Sequence, residues 1–107
     1  MSAIESAKKH FDSLGIKKIE VPEWDNLIIY AKPLTLAEMS KLQKLAKDND
    51  VELMAYCLIT KALDENMEKI FSIGDKHDLM NHVDKDILAE VTGQIMSSES
   101  FEDQSKK

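Results

Sequence analysis

Apolar positions along the chain change their period several times, and each change marks an element. Ile4, Ala7, Phe11 and Leu14 recur at spacings of three and four, drawing one narrow stripe on a helix over 2–14. Ser2 with Glu5 three places on is a capping-box start, and Gly15 suits the left-handed position beyond a helix end. From Lys17 to Val21 the period falls to two. Ile19 and Val21 share one face, Lys18 and Glu20 the other. Pro22 lacks an amide donor and stops the pairing. Glu23 to Asn26 reads as a turn. Leu27-Ile-Ile-Tyr-Ala31 then has the β-branched and aromatic content of a second strand. The two strands are expected to pair as an antiparallel hairpin at about 17–31. A lone hairpin is marginal in water, so one face must lie on helices.

The rest of the pattern is helical. Pro33 closes the second strand, and Thr35-Leu-Ala-Glu38 is a second capping box opening a helix to about Lys47. Its expected buried stripe is Leu36, Met39, Leu42, Leu45 and Ala46. Asn49 with Glu52 caps the next helix. Val51 to Leu63 is apolar nearly all round, as expected of a central core helix. Asp64 to Met67 reads as a tight turn that folds Ile70 and Phe71 back onto the core. A short helix starts at Ser72 or Asp75, with Leu79, Met80 and Val83 inward. Asp84 caps the last helix, whose buried side is Ile87, Leu88, Val91 and Ile95. Gly93 inside it costs about 1 kcal/mol relative to alanine, which marks an early end or a close helix crossing. From Ser97 the chain is polar and patternless. The predicted fold is mainly α (α+β), four to five helices with a small N-terminal antiparallel β-hairpin. One domain is expected over 1–96 and a disordered tail over 97–107.

Composition narrows the function. Hydrophobic content of 43% and charged content of 32% belong to a folded chain. No apolar run approaches the roughly 20 residues that cross a bilayer, so no membrane partner is expected. The N-terminus lacks the apolar stretch of a signal peptide, and the lone Cys57 agrees with a reducing compartment. The net charge is −6 and all 14 basic residues are lysine. Without arginine the forks that read phosphate and guanine are missing, so nucleic acid is not an expected partner.

Catalytic chemistry finds little to stand on. Cys57 lies in the most apolar helix, where burial blunts a thiol. The three glycines stand far apart and form no phosphate loop. Asp64, Asn66 and Glu68 match the first three ligand positions of a calcium loop, but Lys69 replaces its glycine and Asp75 its final glutamate. His77 and His82, five apart, do not share a helical face and have no third ligand nearby, so zinc is not expected. The chain is therefore expected to be a binding protein, with no enzymatic activity and no cofactor. Two features are candidate partner contacts. The stripe of Ile4, Phe11 and Leu14 either packs on the core, which is the expectation, or docks on another chain. Trp24 at the hairpin tip either plugs the domain, again the expectation, or anchors a partner.

One ordered set of residues goes further. Val21-Pro22-Glu23-Trp24 precedes an apolar strand, and Lys32-Pro33-Leu34-Thr35 opens a helix. Leu63-Asp64-Glu65-Asn66 and Ile70-Phe71 follow some thirty residues on, and an acidic-start helix begins at Asp75. Over roughly 17–96 this resembles the tail assembly chaperones of long-tailed (siphovirus-type) bacteriophages and prophages. Similar proteins often carry glycine in the turn after the Asp-Glu pair, where this chain has Met67. The resemblance implies a non-enzymatic chaperone that keeps the tape-measure protein soluble during tail assembly. It implies the tail-tube protein as a further partner, whose subunits then replace the chaperone. It also implies self-association, a place in the cytoplasm of the bacterial host, and absence from the mature virion. A frameshift-extended form is common in that family, and a polar end at Ser97–Lys107 suits the short form. The alternative is a small regulatory or adaptor protein that binds one folded partner.

Overall fold

The computed structural model describes residues 2–97. Among them run five α-helices and two strands: α1 (Ala3–Leu14), β1 (Lys17–Val21), β2 (Leu27–Ala31), α2 (Leu36–Ala46), α3 (Asp50–Lys61), α4 (Lys76–Asn81) and α5 (Lys85–Met96). Short 3₁₀ turns cover Pro22–Trp24 and Ile73–Asp75. The mainly helical α+β architecture matches the periodicity. The tail expected at 97–107 lies outside the described residues, apart from Ser97.

β1 and β2 pair antiparallel with Ile19 opposite Ile29 and Val21 opposite Leu27. Ile19, Val21, Ile29 and Ala31 are all buried, so one pleat face is the floor of the core. The hairpin does not end the sheet. The Tyr30 amide donates to the Leu63 carbonyl, and the Leu63 amide donates back to Tyr30, each at 2.8 Å. Leu63 in turn bridges Lys69. Across the sheet the order is β1, β2, the strip at 62–64, and the strip at 68–70. The last two are single bridges, too short to show an alternating pattern in sequence.

α3 is the central helix, as its composition requires. Its Ala55, Cys57, Leu58 and Ile59 are buried, and α5 adds Leu88, Val91, Thr92 and Ile95. Burying these side chains contributes roughly 1.5–3 kcal/mol each for the larger ones. α2 differs from expectation. Its capping box forms, with Thr35 Oγ1 accepting from the Glu38 amide and Glu38 Oε1 accepting from the Thr35 amide. Only Leu42 and Ala46 of its stripe are buried, however, while Leu36 is 89% exposed and Leu45 is also exposed. The helix meets the core along its C-terminal half alone. Gly93 differs too: α5 runs on to Met96, and a Cβ built at Gly93 meets nothing within 4 Å. It marks neither a helix end nor a close crossing.

α1 is the largest departure. Ser2 caps it through the Glu5 amide. Yet none of its residues is buried, Ile4 is 67% exposed and Phe11 is 37% exposed. The packing expected of its stripe is corrected: a narrow stripe carries no information about which surface faces it.

Candidate functional site

Among the described residues an exposed apolar stripe and an open groove stand out. The first is the α1 stripe. It runs from Ile4 through Phe11 to half-buried Leu14, about 15 Å along the helix axis. Gly15 follows at φ +66 and ψ −161, outside the left-handed helical region expected for it and in a region open essentially to glycine alone, at roughly 1–3 kcal/mol for other residues. Gly15 and Ile16 alone link α1 to β1. The far end of that link is fixed, because Lys17 Nζ donates to the Gln94 carbonyl at 2.7 Å, placing a cation at the C-terminal end of α5. Burial pulls the Lys17 pKa below its usual value.

The second surface is an open groove of ≈ 470 Å³ whose lining is mixed, apolar Ile59, Ile70, Phe71 and Ile73 together with Lys69, Ser72 and Asp75. Ile59 forms its buried floor, and Ile73 is 65% exposed. Sequence reasoning foresaw Ile70 and Phe71 folding back on the core, but not the opening beside them. The signal was present: Ile73 stands outside every helical stripe of the chain.

Trp24 belongs to this surface from behind. It is half-buried against the core, and its ring meets Phe71 edge-on at 6.4 Å between centroids. It therefore supports a groove wall while part of its surface stays accessible at the hairpin tip.

The turn leading into the groove is built by Asp64. Its Oδ1 accepts from the Asn66 amide at 2.8 Å and the Glu68 amide at 3.0 Å. Those bonds account for the acidic residue that had suggested a calcium loop. Met67 sits in this turn at φ +63, the conformation that glycine takes without strain. Ser72 caps the following turn with Asp75. Lys76 then ties α4 to α3 through Glu52 at 2.6 Å and lies 4.8 Å above the Tyr56 ring.

The remaining candidate chemistry has structural partners. Lys61, 7% exposed, bonds Glu38 at 2.9 Å, so the capping carboxylate of α2 also neutralises a cation at the end of α3. Burial of Glu38 raises its pKa. The Lys61 hydrogen bond, the Thr35 amide and the Lys61 charge together outweigh that, and the net shift is downward. The Cys57 thiol is pushed up to about 12, chiefly by burial and against the pull of Lys61. A thiol so poised supplies no thiolate at neutral pH. His77 and His82 come closer than a helical wheel suggests, with ring centroids 5.8 Å apart, because α4 ends at Asn81 and His82 leaves the helical path at φ −127. His82 Nδ1 is taken by Asp78 at 2.9 Å. Among the described residues no group of three His, Cys, Asp or Glu side chains is placed to hold a metal ion. Nor is any described helix long and apolar enough to cross a membrane.

With the geometry in place, the fold has a solved counterpart. Its fold is similar to that of the bacteriophage HK97 tail assembly chaperone. The TM-score is 0.61, over 77% of this chain and 78% of that one, at 15% sequence identity. No protein-family model and no curated protein matches the sequence. At that identity the likeness establishes a shared fold, reached through few shared residues.

Proposed function

We propose that this protein is a phage tail assembly chaperone. It binds the tape-measure protein, keeps that long helical client soluble until tail-tube subunits replace it, and works in the cytoplasm of the bacterial host without entering the mature virion. Copies of it self-associate on the client. The observation that carries this is the fold shared with the HK97 protein. The open stripe of α1 supplies the physical means. A client with exposed apolar helical faces is held by an amphipathic helix that buries none of its own residues, and Ile4, Phe11 and Leu14 form its apolar side. The net charge of −6 keeps a multimeric coat in solution. Trp24 contributes by holding Phe71. No enzymatic step and no cofactor are part of this function.

Co-expression with the tape-measure protein of the same phage or prophage tests it. The client is expected to move into the soluble fraction and to be captured by the tagged chaperone. Phe11→Asp is expected to remove both effects. A client that is equally soluble and uncaptured with the unmodified chaperone defeats the proposal.

A further inference from the structure

We propose that the outer edge of the sheet at Lys69–Phe71 takes an extended segment of another polypeptide as an added strand. That segment alternates apolar and polar residues, and its apolar side chains enter the groove over Ile59. The inference is independent of the tail-assembly reading.

The hydrogen bonds of the last strip set the direction of its backbone. The Asp64 amide donates to the Glu68 carbonyl at 2.8 Å, and the Ile70 amide donates to the Ala62 carbonyl at 3.3 Å. These two bonds flank the Leu63–Lys69 bridge, which is therefore a non-hydrogen-bonded pair of an antiparallel ladder. Leu63 uses its own amide and carbonyl on Tyr30. The amide and carbonyl of Lys69 consequently point away from Leu63, out of the sheet edge. Among the described residues neither has a partner, and neither do the amide and carbonyl of Phe71. The Ser72 amide is taken by Asp75 Oδ2 at 2.8 Å, so the open run ends there.

The occupant follows from this pattern. Edge peptide groups bond to backbone that is itself unpaired, which an extended segment offers along its length and a helix offers only at its ends. Ile70 stands opposite buried Ala62, on the pleat face that looks toward the core, and Ile59 of α3 floors the groove on that side. In an added strand, a residue beside Ile70 points to the same face, toward Ile59. Its neighbours along the segment stand beside exposed Lys69 and meet water. Apolar residues therefore suit every second position, with polar residues between. The opposite edge of the sheet is less suited. There Lys18 and Glu20 turn their peptide groups outward, and both side chains are exposed charges, an arrangement that discourages strand addition. At the outer strip Lys69 is followed by Ile70 and Phe71, with exposed Ile73 beyond.

Titration of the full-length chain with the end-blocked peptide Thr-Val-Thr-Val-Thr-Val-Thr, followed by backbone amide NMR and hydrogen exchange, tests the proposal. Saturable binding is expected in the micromolar to millimolar range. The Lys69 and Phe71 amides are expected to shift and to exchange about tenfold more slowly at saturation, with the α1 amides unmoved. Lys69→Pro removes a donor that the fold leaves unused, so this variant is expected to melt as the wild type does and to bind about tenfold more weakly. The same peptide with its amides N-methylated carries that test on the wild type, where folding is not at stake, and is expected to bind as weakly. Absence of saturation overturns the proposal, as does binding that leaves the Lys69 and Phe71 amides unmoved. A methylated peptide that binds as tightly as the first also overturns it, and so does a folded Lys69→Pro variant that binds as the wild type. Slow exchange of both amides before any peptide is added overturns it too, because a second copy or a segment of the same chain then holds the edge. Equal protection by an end-blocked helical peptide of alanine, leucine and lysine makes a helix the occupant, with the same consequence. No client is present, so none of these outcomes bears on the function proposed above.

Discussion

Single residues carry some of the firmest consequences. Met67 holds φ +63 without the freedom of glycine. Met67→Gly removes strain of roughly 1–2 kcal/mol, offset in part by the larger entropy of the unfolded chain. A rise in melting temperature is expected, where the same change in an ordinary turn lowers it. Gly93→Ala is expected to stabilise by about 1 kcal/mol, since the new methyl meets open space on a helix. Glu38 gives a pH signature. Its folded pKa lies below the ordinary 4.5, so its contribution is complete above that value and lost as pH falls through the lower, folded one. Thermal melts of the wild type should therefore fall more steeply than those of Glu38→Gln between about pH 5 and pH 3. Equal slopes would assign the acid sensitivity to other carboxylates.

At the scale of elements, legibility followed from how local each cause is. The hairpin was readable because Pro22, the period of two and the Leu27–Ala31 run all act within a few residues. Helix starts were readable for the same reason, and the Thr35 and Asn49 caps form as the spacing requires. What stayed hidden depends on distant partners. Leu36 and Leu45 fit a helical stripe yet remain exposed, because α2 meets the core only toward its end. The strips at 62–64 and 68–70 join the edge of the sheet through single bridges that leave no periodic trace. Of the candidate site, Ile4, Phe11 and Leu14 could be grouped from spacing, but their exposure could not be foreseen. Trp24→Ala belongs here as well. It removes the edge contact to Phe71 and is expected to cost about 2–4 kcal/mol, read as a lower denaturation midpoint in urea. Midpoints that coincide with the wild type would free Trp24 for the adaptor role.

For the whole molecule, stability and interaction surface are divided between different parts of the chain. The core lies between the sheet, α3 and α5, and α1 contributes no buried residue to it. Ile95→Ala is expected to cost about 2–5 kcal/mol, whereas replacing Phe11 changes the melt by less than about 0.5 kcal/mol. Parallel melts and client-capture measurements on the two variants separate these roles. That division suits a fold shared with the HK97 protein at 15% identity. The core needs only volume and pattern, which many sequences supply, while the exposed helix is free of that packing constraint.

The buried thiol provides a clock for this molecule. Cys57 is the one cysteine of the chain and is fully enclosed in α3. With its proton held until about pH 12, it meets a thiol reagent only when the core itself opens. The labelling rate of an unmodified sample then reports the opening of the central helix, with no engineered probe. Fraying of α1 goes unseen by that reagent. Any added protein that slows the reaction has tightened the core.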